Sequence, residues 1–420
     1  MRIALLIACS LLACSPHKLP PSTSEVRYRF DVPTNGNARQ ELQDAIAAAE
    51  KRAEDPIELT ELANLYFARA QLDGDRKDFE ATERLARRSL VLLPAPNGAA
   101  ITLAKLANAR HEFREAIELA HHYQGRNAVA VPMVLATAHL ALGELDAAAA
   151  AADDAVRSKP TPSTYLERAL VRQAQGRDAD AAADFANAVR VEDYGDVLES
   201  ARVRALWSRF LVRRGEFASA KRVIDEALRI APDSALALSI RAELELRTGD
   251  PKRARVDLDA AFRAQHQVRY LIDETRALET AGDRAGANRL RSTVEGLVRD
   301  DLASGSFGHR LELVEVLVDR GDPAGFAEAV AAAREELARR PGAETHYQLA
   351  RALACTGADA EAEAQIEEAL ATGAHEPQYY ELASRIANRR GHVERARLYE
   401  RLAGALDPDD SGWRAIGMPT

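Results

Sequence analysis

Read for hydrophobic and polar positions, the chain has an apolar start, a polar proline-rich stretch, and then a long series of helical stripes. Ile3 to Ala8 and Leu11 to Ala13 form the apolar start behind a positive Arg2. Ser10 interrupts that run and Ser15-Pro16-His17-Lys18 ends it. It falls short of the roughly 20 apolar residues that a membrane-spanning helix needs, so residues 1–13 read as a secretion signal. Residues 14–37 carry Pro16, Pro20, Pro21 and Ser22-Thr23-Ser24 and read as a tether; the eleven steps from Cys14 to Glu25 reach up to ~36 Å at ~3.3 Å per residue. Within it Val26, Tyr28, Phe30 and Val32 alternate with Arg27, Arg29 and Asp31, the two-residue period of a half-buried strand. With no sheet to join, this segment is expected to lie extended across the first helices; the alternative is a strand offered to the edge of a partner's sheet.

A turn cluster, Thr34-Asn35-Gly36-Asn37, precedes the first helical stripe, with Asn37 as candidate N-cap. Leu42, Ala45, Ile46 and Ala49 then follow at i, i+3, i+4, i+7, and Pro56 suits the first turn of the next helix. From there a pattern recurs over residues 38–408. It is clearest in Trp207-Ser208, Leu211, Gly215, Ala220, Ile224, Ala227 and Pro232, and returns as Leu382-Ala383, Ile386, Gly391, Ala396, Ala403 and Pro408. Leu135-Ala136, Gly143, Ala148, Ala152, Ala155 and Pro160 repeat it again, with glycine and proline 17 residues apart in all three. A small residue opening a second helix falls at Ala81, Ala116, Ala148, Ala181, Ala220, Ala254, Ala287, Ala329, Ala362 and Ala396. Most spacings lie between 32 and 35; those of 39 and 42 locate insertions around 191–200 and 300–309, the latter a candidate hinge at Gly305-Ser306-Phe307-Gly308. Thr275 takes a small-residue place, Arg291 takes an aromatic one, and extra positions precede Ala81 and Ala329.

This pattern resembles the tetratricopeptide repeat, element by element. The resemblance implies an all-α fold, an α-solenoid of about ten antiparallel helix–turn–helix units wound into a right-handed superhelix. Physically, paired small residues let two helices approach, glycine takes the left-handed conformation that ends the first helix, and proline opens the next unit. A single hairpin cannot bury its apolar face, so neighbours must stack. Residues 409–420 are left as a tail, too short for an extra capping helix. At the other end, Leu11-Leu12-Ala13-Cys14 resembles the bacterial lipobox, which implies lipidation at Cys14; Leu6-Ile7-Ala8-Cys9 fits the pattern but leaves too short a signal. Several acyl chains make such an anchor durable, and Ser15 in the place after the cysteine points to the outer membrane, facing the periplasm.

Composition agrees with packed helices: aromatics are 5% of 420 residues, and glycine and proline are modest. The net charge of −9 leaves no basic footprint, so no nucleic-acid partner is expected. Of three cysteines, Cys9 and Cys14 lie at the apolar start and Cys355 has no internal partner for a disulfide, so it reads as a small buried hydrophobe.

Repeats and anchor account for nearly the whole chain, which leaves no stretch of domain size for a catalytic fold. No Gly-rich phosphate loop, Gly-x-Ser-x-Gly elbow or His-Glu-x-x-His helix appears, so no enzyme, cofactor or metal is expected. His121-His122 point about 100° apart on a helix, poor geometry for one metal. The run Asp407-Pro408-Asp409-Asp410-Ser411-Gly412 begins like a calcium loop, but Met418 stands where the bidentate glutamate belongs.

In proteins with this repeat the first helices line a concave groove that takes peptides. The corresponding row is Asn64, Lys105, Thr137, Leu170, Arg209, Glu243, Arg276, Arg351 and Ser384, in which the arginines suit an acidic or carboxylate-bearing segment. Ile101 with Lys105 and Met133 with Thr137 do not reproduce the carboxylate clamp for chaperone tails. The expected function is a scaffold or adaptor for protein or peptide partners, held to the envelope by its lipid. The alternative is an accessory or regulatory subunit of an envelope enzyme or of a secretion or pilus assembly complex.

Overall fold

The computed structural model describes residues 26–32, 38–94, 96–123, 129–303 and 309–407. The lipobox, most of the tether, Asn37, the Gly305–Gly308 stretch and nearly all of the candidate calcium loop lie outside them. Twenty-one helices and no strand occur among the described residues. Helix α1 (Ala38–Glu50) is followed by ten hairpins, numbered one to ten, at residues 56–92, 99–122, 130–158, 162–190, 197–230, 235–264, 268–303, 310–339, 343–371 and 377–406. The molecule is an all-α solenoid.

All ten alanines that set the repeat are buried, none more than 5% exposed, where the two helices of each hairpin cross. Five of the inner or outer helices start on proline, and Asp55 caps the first hairpin by accepting from the Ile57 and Glu58 N–H groups. In nine hairpins the turn between the two helices is a glycine with φ between 68° and 83°, from Gly74 to Gly391; in the second it is His111, at φ 61°. A side chain in that region costs about 1–2 kcal/mol, so His111 is the one strained turn among the described residues. Ser208 and Ser384 each donate from Oγ to the carbonyl of that small residue, Ala220 at 2.9 Å and Ala396 at 3.0 Å. Bidentate ion pairs staple other hairpins internally: Arg69 to Asp78, Arg168 to Asp184 and Arg241 to Asp257, at 2.5–2.9 Å.

The departures from the repeat are absorbed locally. Thr275 is buried and turns its hydroxyl back to the Ile272 carbonyl at 2.6 Å, while Arg291 is buried against Glu279 and Asn288. The insertion near 300 lengthens the outer helix of hairpin seven to Ala303, and the one near 191 forms a loop between hairpins four and five.

That loop is a docking place for the N-terminal segment. Val26 and Tyr28 are buried while Arg27, Arg29 and Asp31 face solvent, so the alternation is real. The segment is not a strand, however, and it lies across hairpin five rather than across the first helices. Tyr28 packs on Ala201, Ile230 and Ala231 and its N–H donates to Glu226 at 2.7 Å. Arg204, fully buried, donates from Nε to the Val26 carbonyl at 2.7 Å and pairs with Glu192 in the loop at 2.8 Å. A buried guanidinium needs such partners, and the alternating segment supplies one of them.

Successive windings of the solenoid touch. Gln265, just after hairpin six, donates to the Gln71 carbonyl beside the turn of hairpin one at 2.9 Å. A Cβ on Gly143, the turn of hairpin three, would meet the Pro341 carbonyl after hairpin eight at 3.1 Å. One on Gly176, the turn of hairpin four, would lie 2.7 Å from the Gly373 carbonyl after hairpin nine. The turn inside a hairpin thus packs on the junction that follows the fifth hairpin further on, tightly enough at Gly143 and Gly176 that a Cβ would crowd the facing carbonyl. Asp407, at the end of the last helix, is buried in an ion pair with Arg247 of hairpin six, so the previous winding covers that end.

Candidate functional site

Counting six residues back from each turn residue gives the inner row in its structural register: Ala68, Lys105, Thr137, Leu170, Arg209, Glu243, Arg276, Glu315, Arg351 and Arg385. Two positions of the sequence row shift. Asn64 lies one helical turn before Ala68, on the same face, and Ser384 lies one residue before Arg385 and bonds inside its own hairpin. Glu315 is the residue that the sequence reading missed. Ala329 lies eight residues after Gly321 where the other hairpins, the first apart, have five between turn and alanine, so counting from the alanine passes over it. Counting from the glycine finds it.

With Glu315 in place, hairpins five to nine carry Arg209, Glu243, Arg276, Glu315 and Arg351, a row of alternating charge. All five line one chamber of about 410 Å³, whose walls also include Leu236, Ile240, Tyr270 and Tyr347. Most of its charge is spent internally. Arg276 pairs with Glu315 and, at 3.1 Å, with Asp273; Arg351 pairs with Asp319, both 4% exposed at the side chain. Arg213 reaches Glu376 at 3.0 Å, and this carboxylate holds the guanidinium's pKa above its ordinary value. Arg209 has no ion pair and its Nε is closed off from solvent without a hydrogen bond. Burial pulls its pKa down, with Arg213 adding to the effect and Glu243 opposing it.

A second cavity of about 540 Å³ lies between windings, lined by Thr137, Leu170, Arg213, Glu376 and Tyr379 among others. Thr137 donates to the buried Glu167 at 2.9 Å, and desolvation pushes that carboxyl's pKa up. The Tyr379 ring stacks on Tyr347 of the chamber at 4.8 Å between centroids.

The first two hairpins present a different inner face. Asn64 and Lys105 are both exposed, and Thr102 donates to Asn64 at 2.9 Å, which ties the two inner helices together. Lys105 lies one turn further along, and desolvation by the surrounding protein lowers its pKa. The predicted row is therefore split: Asn64 and Lys105 on an open face, Thr137 at the second cavity, and Arg209, Glu243, Arg276 and Arg351 in the chamber. No group of three or more potential metal ligands occurs among the described residues. Cys355 is half-buried and its thiol pKa is raised by that burial.

The fold is similar to that of human IFIT1, solved as a dimer with PPP-AAAA: TM-score 0.50 at 12% identity, over 87% of this chain and 86% of that one. A tetratricopeptide repeat protein from Parabacteroides merdae aligns with TM-score 0.40 and 14% identity, over 62% of this chain and 93% of its own. Yeast Tom70 aligns with TM-score 0.40 and 13% identity, over 88% and 89%. No family model and no curated protein matches the chain. At 12% identity the likeness to IFIT1 speaks for the fold, an all-α solenoid, and for that alone.

Proposed function

We propose that this chain is a non-catalytic scaffold of the bacterial envelope that holds a protein partner, through an acidic segment, against the inner face of its first hairpins. Cys14 carries the lipid, and Ser15 after it assigns the protein to the outer membrane, facing the periplasm. The observation that carries the reading is the exposed Lys105: it lies one helical turn beyond Thr102, which bonds Asn64, and has no internal counter-charge, unlike the paired arginines further along the row. A carboxylate from a partner gains a charge-assisted hydrogen bond there without displacing an internal one. The lipid supplies location, and the tether spans up to ~36 Å at ~3.3 Å per residue.

The test is a photo-crosslinking residue at Asn64 in intact cells, with the same residue at Glu80 on the outer helix of hairpin one as control. A discrete adduct from Asn64 that disappears with Lys105→Glu supports the reading. Equal adducts from Glu80, or adducts indifferent to Lys105→Glu, contradict it. Fatty-acid labelling of the native chain against Cys14→Ala tests the anchor separately, and equal labelling of both removes it.

A further inference from the structure

The chamber contains a charge mismatch that the protein does not resolve. Six arginines line it, and five have carboxylate partners: Arg213 with Glu376, Arg247 with Asp407, Arg269 and Arg276 with Glu315, and Arg351 with Asp319. The first step of the alternating row is the exception. Arg209 and Glu243 line the same space, yet neither pairs with the other within 4.0 Å nor with any other described residue. Gln348 is 7% exposed, lines the chamber, and has an Oε1 without a hydrogen-bond partner. A guanidinium Nε and an amide oxygen closed off from water without a partner are costly, and a ligand that meets them recovers that cost.

The unmet groups define the complement. Arg209 asks for an anion, while Glu243 and the Gln348 oxygen ask for a cationic donor. A simple anion would satisfy Arg209 but bring a second negative charge toward Glu243, and a simple cation would do the converse toward Arg209. A zwitterion meets both ends and imports no net charge; Glu344, which also lines the chamber without an ion pair to a described residue, is exposed. The Leu236, Ile240, Tyr270 and Tyr347 walls accept an apolar side chain between the two ends. At about 410 Å³ the chamber falls in the range of roughly 300–1,000 Å³ typical of small-molecule sites, at the size of an amino acid or a short peptide.

We infer that the chamber is a binding site for a small zwitterion, an amino acid or dipeptide, with its carboxylate on Arg209 and its ammonium between Glu243 and Gln348. The site is separate from the partner face at Asn64 and Lys105, so either can fail without the other.

The experiment is calorimetric titration and thermal melting of the folded protein with four probes: leucyl-leucine, leucine, N-acetyl-leucine and leucinamide. One or both zwitterions bind and raise Tm, while the two singly charged compounds bind about 30-fold more weakly or not at all. Arg209→Met melts no lower than the native chain, because it removes an unpaired charge whose Nε is closed off from water, and it no longer responds to the zwitterions. Glu243→Gln brings the zwitterion down to the affinity of N-acetyl-leucine, and it carries the test if Arg209→Met does not fold. No binding of either zwitterion at millimolar concentration overturns the inference. So does equal binding by Arg209→Met, or N-acetyl-leucine binding as tightly as the better-bound zwitterion.

Discussion

The inner faces of the first two hairpins and of hairpins five to nine are built from the same repeat position and end in opposite states. In the first, Lys105 is exposed and without an ion pair. In the second, Arg276 and Arg351 are tied to Glu315 and Asp319, and the face lines a chamber. The difference is not in the helices, whose packing alanines are equally buried in both regions. It comes from what the neighbouring inner helix offers, a neutral Asn64 in one case and an acid in the other. In a solenoid the repeat fixes where a side chain points, and its neighbours decide whether it is available to a partner.

The largest expected effect lies where hairpin five holds the N-terminal segment. Arg204→Ala strands Glu192 in a buried site and removes the donor to Val26, so chemical unfolding should show a loss of about 3–5 kcal/mol. The variant should also expose residues 26–32 to protease, whereas Arg27→Ala on the solvent side leaves stability nearly unchanged. Next comes the contact between windings. Gly176→Ala places a methyl against the Gly373 carbonyl and should cost about 3 kcal/mol, combining overpacking with a strained φ. Gly391→Ala has the same backbone conformation and nothing within 4 Å, and should cost about 1 kcal/mol. Equal costs would mean that the windings do not touch.

Two smaller effects separate the regions further. His111→Gly in the first winding relieves the left-handed turn and should raise stability by up to about 1 kcal/mol, less what the stack on Phe113 contributes. In the second winding, burial first and Asp257 next push the Glu245 carboxyl up to about 7, and its Oε2 has no partner. A carboxyl raised in the folded state keeps its proton there between the unfolded value near 4.5 and about 7, so stability falls as pH rises through that window. Glu245→Gln should therefore be no more stable than the native chain at pH 5 and more stable at pH 8. With the group about half exposed, the gain is at most ~1 kcal/mol.

Much of this architecture was legible in the sequence because it is local. The ten alanines, the turn glycines and the prolines each act within one hairpin, and every alanine proved buried where two helices meet. The inner row was legible to within one helical turn. Glu315 was not, since the extra residues before Ala329 hid its register, although the Gly321 turn carried the signal. The pairing of Arg351 with Asp319 and the docking of Val26 and Tyr28 on hairpin five needed the fold. So did the meeting of Gly176 with Gly373, because these contacts join residues separated by whole repeats and no periodicity along the chain encodes them.

Both sites require an inner face that is open in the first hairpins and closed into a chamber in the later ones. With the native cysteines replaced, single cysteines at Lys105 and at Gln348 would be reacted with a maleimide under native conditions. Lys105→Cys is expected to react like an exposed thiol, while Gln348→Cys reacts far more slowly until the protein is unfolded. Comparable rates at the two positions would contradict the division of the inner face on which both the partner site and the chamber depend.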